Sequence, residues 1–480
     1  MSVRASESLS GARSVGRALR GGAVSVTISV ADHVAAADDL VRRYRELPPG
    51  VRVRLAKPSS NLFRFGAPPP TLDASGLSGV IAVDPVARTA DVAGMTTYED
   101  LVDATLPYGL MPLVVPQLKT ITLGGAVAGL GIESTSFRHG LPHESVRSME
   151  VLTGSGEVVT ATPDGEHADL YRGFANSYGT LGYALRLVID LQPVKPYVRL
   201  RHRRYPDADA CTAAITELAE LAGPTAGATD FLDGTVFDAG EQYLTTGEFV
   251  GELPPGVTPS DYTGQQIFYR SQQERAVDHL TVRDYLWRWD TDWFWCSRAL
   301  GVQHPLVRRL WPGRYRRSDV YRRIVALDRR HGWSDRLNTL RGRPVEEPVV
   351  QDVEIPVRHL PAFLEAFERD VGITPVWLCP VRARDTWTLY PMRPGELYVN
   401  VGFWSSVPQT AGDPAAHNRR IEELVSDLEG HKSLYSSVHY TEDEFWRHYN
   451  GPAYRALKQR YDPRGRLPDL YSKVAGQAGR

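Results

Sequence analysis

Residues 120–140 read TITLGGAVAGLGIESTSFRHG, a stretch in which glycines and hydroxyl side chains surround a single carboxylate, Glu133. Glycine lets main-chain N–H groups approach a flat or phosphate-bearing ligand with no Cβ in the way, and Ser and Thr add donors for the same oxygens. The competing reading is a buried glycine-rich turn, because glycine clusters are ordinary punctuation in proteins that mix helix and sheet. The flanking sequence has to decide between them.

At 480 residues the chain is too long for one ordinary core, which predicts two domains. An apolar content of 42%, a charged content of 23% and a formal net charge of −2 describe a soluble globular protein and argue against nucleic acid as its main partner. Cys211, Cys296 and Cys379 are far apart with no CxxC pair, so neither a disulfide framework nor a metal site is expected, and a reducing cytoplasm suits them. No run of about 18 apolar residues spans a membrane. Residues 1–24 are rich in Ser, Gly and Arg without the apolar stretch of a secretory signal, and are expected to form a mobile tail.

From Ser25 to Pro196 short β-type runs alternate with amphipathic helices. Strands are expected at Val51–Ala56, Val80–Asp84, Thr89–Val92, Val146–Thr153, Glu157–Ala161 and Ala184–Leu191, and helices at Asp38–Leu47 and Tyr98–Leu106, the second capped by Thr97. The pair Val146–Thr153 and Glu157–Ala161, joined by Gly154-Ser155-Gly156, reads as an antiparallel hairpin, which argues against a purely parallel doubly wound sheet. Gln192–Pro196, with two prolines, marks a boundary. Beyond it come strands at Tyr197–Tyr205, Val349–Ile355, Val376–Val381 and Leu397–Phe403, with helices at Ala208–Leu221, Pro356–Phe367 and Ala416–Leu428: a second sheet covered by helices. Between its halves, residues 285–330 interleave Trp287, Trp289, Trp293, Phe294, Trp295 and Trp311 with many arginines. Such a segment is either a lipid-headgroup contact or an insertion whose tryptophans are core and whose arginines are a solvated face.

Three segments taken together, the glycine stretch, Lys57-Pro58-Ser59-Ser60-Asn61 after a strand, and Tyr178-Gly179-Thr180-Leu181-Gly182 before one, resemble the FAD-binding (PCMH-type) domain of the vanillyl-alcohol-oxidase superfamily. GIESTSFRHGL (131–141), DLYRGFANSYGTLGYALRLVIDLQPVKPYVRLR (169–201), VVQDVEIP (349–356), PVWLCP (375–380), LYVNVGF (397–403) and LYSSVHYTEDEFWRHYNGPAY (434–454) are similar, in the same order, to stretches of the Δ24-sterol reductase family. The resemblance implies an α+β fold: a two-subdomain FAD-binding domain at 25–196, an α+β cap (substrate) domain at 197–430 with its insertion at 285–330, and a C-terminal segment at 431–480 returning to the flavin.

The same resemblance implies a flavoprotein oxidoreductase that reduces an isolated carbon–carbon double bond of a lipid. The arginine-rich, bacterial-looking composition directs the expectation to bacterial methylene-fatty-acyl reductases, which convert a 10-methylene acyl chain to the 10-methyl (tuberculostearic-type) chain in fatty acid biosynthesis. A Δ24-sterol-type alkene, and an alcohol or sugar oxidase on the same fold, are the alternatives. NADPH is the expected electron donor. The methyltransferase that makes the methylene intermediate is an expected partner, and the inner face of the plasma membrane an expected peripheral contact.

Expected FAD contacts are Lys57, Pro58, Ser59, Ser60 and Asn61 in the first loop, then Thr122, Gly124, Gly125, Gly129, Gly131, Ser134, Ser136 and Gly140. Gly179, Thr180, Gly182 and Val188 complete the set. The first loop offers neither His nor Cys, so noncovalent FAD is expected, with His139 and His143 the alternatives for a covalent link. An isolated alkene has no carbonyl to take up negative charge, so a proton must arrive at least as early as hydride. Glu133 is the first candidate for that acid, because an apolar site would raise its pKa. His439 is a second, as donor or as a cation beside the flavin. Gln351 or Asp352 should touch ring or substrate, Gln351 alone if strand alternation turns Asp352 outward.

Overall fold

The structure, a computed structural model, describes residues 26–48, 50–56, 72–221, 229–331, 336, 342 and 344–475. The tail 1–24 and the expected first loop, Lys57–Asn61, lie outside these residues. Two short strands, β1 (Leu55–Ala56) and β2 (Leu72–Asp73), pair in parallel. Only Leu55–Ala56 of the strand expected over Val51–Ala56 forms.

The next six strands make the first large sheet. They are β3 (Val80–Asp84), β4 (Thr89–Ala93), β5 (Leu110–Pro112), β6 (Val146–Thr153), β7 (Val158–Ala161) and β8 (Gly182–Pro193). Their order is β3-β4-β8-β6-β7, with β5 on the end of β8, and every pairing is antiparallel, as the hairpin signal at Gly154–Gly156 required. β8 carries on through Pro193, so its final pairing is Leu110↔Pro193 rather than a break at Gln192. Thr97 caps the helix Tyr98–Thr105 by accepting from the Asp100 N–H. The helix expected at Asp38–Leu47 starts earlier, at Val30, because the Ser29 hydroxyl accepts from the Asp32 N–H and opens it there.

The second sheet has eight strands: β9 (Tyr197–Tyr205), β10 (Phe231–Asp238), β11 (Glu241–Val250), β12 (Val277–Thr281), β13 (Glu346–Pro356), β14 (Val376–Arg382), β15 (Leu397–Pro408) and β16 (His431–Lys432). They run β12-β9-β11-β10-β14-β15-β13-β16, again antiparallel throughout. One face, with Val349, Val353, Leu378, Val399 and Val401, packs under the helices Ala208–Glu220, Leu360–Asp370 and Ala416–Asp427. The opposite face, with Trp377, Cys379 and Val381, shares one core with Leu123, Ile132 and Leu187 of the first domain. The helix expected from Pro356 begins only at Leu360, because β13 continues to Pro356 and a single 3-10 turn intervenes.

The tryptophan-rich insertion falls inside this shared core. Trp287, Trp289, Trp293, Phe294 and Trp295 are all buried, and Trp289 stacks on Phe294 with ring centroids 4.9 Å apart. These rings are therefore packing and not headgroup anchors, since each is covered by protein. Its arginines divide: Arg288 and Arg308 are buried in ion pairs, Arg308 with Asp292 at 2.6 Å, while Arg298, Arg309 and Arg314 are exposed. No described helix is long and apolar enough to cross a membrane.

The C-terminal helices Glu442–His448, Gly451–Tyr461 and Leu470–Val474 fold back on the first domain, where the Lys458 ammonium donates to the Thr180 carbonyl at 2.8 Å.

Candidate active site

The glycine stretch builds one wall of a cavity of about 560 Å³ at the join of the two sheets. Thr122 caps the short helix Leu123–Ala128 by accepting from the Gly125 N–H at 3.2 Å. That helix lies directly on β8. The Gly124 N–H donates to the Gly94 carbonyl at 2.9 Å and the Gly94 N–H to Leu185 at 2.8 Å. A Cβ on Gly94 would meet the Ala184 carbonyl oxygen at 2.0 Å, and one on Gly124 the Gly94 oxygen at 2.7 Å, so these two glycines serve close packing of main chain on main chain. At the helix end, the Tyr178 N–H bonds the Ala128 carbonyl at 2.7 Å, in a turn where Asn176 (φ 62°), Tyr178 (φ 49°) and Gly179 (φ 75°) are all left-handed.

Thr122, Gly124, Gly125, Gly129, Gly131, Gly179 and Gly182 line the cavity. The other expected contacts among the described residues do not. The Ser134 hydroxyl is 2.7 Å from the Tyr285 hydroxyl, the Ser136 hydroxyl accepts from the Glu133 N–H, and the Thr180 hydroxyl donates to the Ser177 carbonyl. Gly140 ends the short helix Ser136–His139 away from the cavity, and Val188 is half-buried on β8 beside Arg186 and Asp190, beyond the register irregularity between Ala184 and Arg186 that changes which face the even positions take. His139 Nε2 donates to Gln192 Oε1 at 3.1 Å, and His143 packs edge-on against Trp387 at 4.3 Å. Burial lowers both imidazoles, to about 4 and about 3, and neither reaches the cavity.

The facing wall comes from the second sheet. Along β13 the even positions Asp352 and Glu354 turn toward the first domain, while Gln351, Val353 and Ile355 turn under the helices. Of the two candidates Asp352 is the one that opens on the cavity, while Gln351, expected as catalytic, donates to Asn418 Oδ1 at 2.6 Å on the far side of the sheet. Trp377 of β14, Trp404 of β15 and Phe294 complete an aromatic lining around it. Burial pushes the Asp352 carboxyl up to about 7, opposed by hydrogen bonding to Asn400 and Tyr435.

The C-terminal segment reaches the site through β16, which pairs Lys432 with Val353 and His431 with Glu354. The Ser433 N–H donates to the Asp352 carbonyl at 3.0 Å, and Tyr435 then sits beside Asp352, its hydroxyl accepting from Trp404 Nε1 at 2.8 Å. A buried ion pair between Lys432 and Glu422 fastens this crossing. Glu422 also accepts the His439 N–H at 3.0 and 2.9 Å. The His439 ring is outside the cavity and, with burial and Lys432 lowering it to about 4, is neutral near pH 7, so it supplies neither the acid nor the cation expected of it. Arg54 and Lys473 also line the cavity and give it positive charge.

Glu133 lies behind the wall. Its Oε1 accepts from Arg288 Nη2 at 2.9 Å and from the Ser134 N–H at 2.8 Å, and the same Nη2 donates to Asp233 at 2.8 Å. All three side chains are buried. Burial raises the Glu133 carboxyl, against the pull of Arg288, but the surroundings are protein core and not the cavity, so the acid role finds no access to a substrate. The triad instead orients the aromatic wall: Asp233 Oδ2 accepts from Trp289 Nε1 at 3.2 Å and Trp377 Nε1 at 3.3 Å.

The arrangement fits a flavin: one flat wall of main chain, one aromatic wall, and two cationic side chains for a pyrophosphate. Comparison with known proteins agrees. Residues 50–162 match a family model described as "FAD binding domain". The Delta(24)-sterol reductase of Homo sapiens is 26% identical over 417 residues, covering 83% of this chain and 75% of that protein. The Delta(24)-sterol reductase of Arabidopsis thaliana is 25% identical over 434 residues, covering 84% and 76%. Cytokinin dehydrogenase 9 of Oryza sativa subsp. japonica is 29% identical over 160 residues, 33% of this chain and 30% of that one. The chain is thus an α+β FAD-dependent oxidoreductase with a flavin domain of the vanillyl-alcohol-oxidase type.

Proposed function

We propose that this protein reduces an isolated carbon–carbon double bond of a lipid at a noncovalently held FAD, with NADPH as electron donor, and that a 10-methylene fatty acyl chain, reduced to the 10-methyl chain, is the substrate. The observation that carries the reading is Asp352, the single acid among the described lining residues, set beside Trp377, Trp404 and Phe294 and facing the glycine wall. The likeness to Delta(24)-sterol reductases supports reduction of an alkene, and it favours a Δ24-type sterol double bond as the second reading. Noncovalent attachment is supported by the sequence: none of the cavity-lining residues among those described, and none of residues 57–71, is His or Cys.

The chemistry asks for a proton and a hydride on adjacent carbons. A flavin held by the glycine wall and reduced by NADPH would supply the hydride. The Asp352 carboxyl, neutral up to about pH 7, gives its proton to the terminal methylene carbon, so that positive charge develops at the branched, tertiary carbon that takes the hydride. Tyr435 and Asn400 hold the carboxyl in place and stabilise the carboxylate left after transfer. Trp377, Trp404 and Phe294 exclude water from the developing cation.

The test is a two-step anaerobic experiment. The FAD-loaded protein is reduced with NADPH and then mixed with a mid-chain methylene lipid or a Δ24 sterol, and the oxidised protein is mixed separately with a primary alcohol, with flavin absorbance and product mass as readouts. Reoxidation by the methylene lipid with a product two mass units heavier supports the proposal. Reoxidation by the sterol alone moves the substrate to the second reading, and bleaching of oxidised flavin by the alcohol but not by NADPH sinks the reductase.

A further inference from the structure

Outside the cavity, the tryptophan-rich insertion leaves one surface that packing within the chain does not explain. In the short helix Pro305–Leu310, Leu306 is 68% exposed and Leu310 84%, with Val307 and Tyr315 also exposed beside them. Arg298, Arg309 and Arg314 are exposed in the same segment, and Arg314 lies over the Tyr315 ring at 4.8 Å. From Trp293 to Ser318 the sequence contains no Asp or Glu, although the whole chain carries a net charge of −2. Arg314 and Tyr315 also line a groove with Glu99, Asp100, Asp103 and Asp319, so the acid-free character belongs to the segment around Leu306–Leu310. Exposed apolar side chains flanked by guanidinium groups match a surface of hydrocarbon under anionic phosphates.

The patch is also joined to the cavity wall. Leu300 and Trp311, at its inner edge, pack on a cluster formed by Leu118, Trp293, Val302 and Tyr321. Leu118 of that cluster, and Ile121 and Trp404 packed against it, line the cavity on its other side. An apolar cluster therefore connects Leu300 and Trp311, of the same segment as the exposed leucines, to residues that line the chamber.

We propose that the surface of Leu306, Val307, Leu310, Arg309 and Arg314 seats the protein on an anionic lipid bilayer. Leu306 and Leu310 enter the acyl boundary, and Arg298, Arg309 and Arg314 take headgroup phosphates. Passage of a bilayer lipid from this face into the chamber rests on the alkene-reductase reading; the docking itself does not.

Flotation of the FAD-loaded protein with vesicles tests it, using phosphatidylcholine alone and phosphatidylcholine with one third phosphatidylglycerol. The wild type should float with the anionic vesicles, and the bound fraction should fall at least tenfold with L306E/L310E and severalfold with R309Q/R314Q. High salt should mimic the arginine variant and not the leucine variant. Unchanged flavin absorbance and melting temperature show that the variants are folded. Failure of the wild type to float, equal binding to neutral vesicles, or unaltered binding of both variants overturns the proposal. So does a concentration-dependent dimer that L306E/L310E abolishes, since a second copy would then be the occupant. Because flotation needs no turnover, a vesicle-bound protein that reduces no alkene would reject the activity and leave the docking standing.

Discussion

Gly402 stands directly across the ladder from Asp352, and a methyl group on it would fall 2.4 Å from the aspartate Oδ1. The carboxyl fills the space that a side chain on β15 would take. Gly402→Ala must therefore push Asp352 aside, against Tyr435 or into the chamber, while the glycine wall opposite stays as it is. Reduction of bound flavin by NADPH should change less than about threefold, and flavin-to-alkene transfer should slow by about 10²-fold, the scale set by a misplacement of about 1 Å. Rapid-mixing measurement of the two half-reactions separates them; equal slowing of both would remove Asp352 from the proton step.

The pH dependence follows from the same carboxyl. Burial raises it to about 7, so the acid form is present below that value and lost as pH rises through it. The alkene half-reaction should fall about tenfold per pH unit above about 7, with no matching limb in flavin reduction by NADPH. Asp352→Asn should erase the limb and lower the rate by about 10²-fold or more. Stability moves the same way. The folded state keeps this proton to about pH 7 while the unfolded chain releases it near 3.8, so folding loses stability as pH rises between those values. Asp352→Asn should accordingly melt higher than wild type at pH 8, which calorimetry can check.

Glu133 and Arg288 call for a different pattern. Arg288→Met leaves the buried carboxyls of Glu133 and Asp233 facing each other with no cation and should cost about 3–5 kcal/mol, enough to abolish most folded protein. Glu133→Gln keeps an acceptor for Arg288 and should cost about 1 kcal/mol, a shift of a few degrees in Tm. Its folded fraction should reduce flavin and alkene within about threefold of wild type. A hundredfold loss confined to the alkene step would restore the acid role to Glu133.

The legible parts of the fold were those where one face of an element is wet. β6 and β9 have the bounds their alternation predicts, and Thr97 announces its helix because a capped first turn is a local event. β10 was not foreseen: Phe231–Val236 is buried on both faces, so Phe-Leu-Asp-Gly-Thr-Val shows no period of two, and Asp233 is tolerated there only because Arg288, 55 residues on, meets it. β12, with buried Asp278 and His279, was hidden for the same reason. The cavity-lining glycines could be read from their cluster, yet the contact between Gly94 and Gly124 that fixes two of the reasons for it crosses 30 positions of sequence. Which of Gln351 and Asp352 faces the ligand is not decidable from a strand covered on both sides. Tyr435 and Lys473 join the site only through β16 and the returning C-terminal helices, and Trp377 and Trp404 through β14 and β15, a long-range arrangement with no local signal.

The alternation of facing along β13 gives this strand a rhythm in its tolerance to change. Odd positions press into the helical layer, so a substitution at Gln351, Val353 or Ile355 should be felt as cellular abundance. Asp352 should instead yield normal amounts of a protein that accepts electrons and cannot pass them on. A saturation library scored in parallel for expression and for turnover would show the two losses falling on neighbouring codons, one the signature of a scaffold and the other of a reagent.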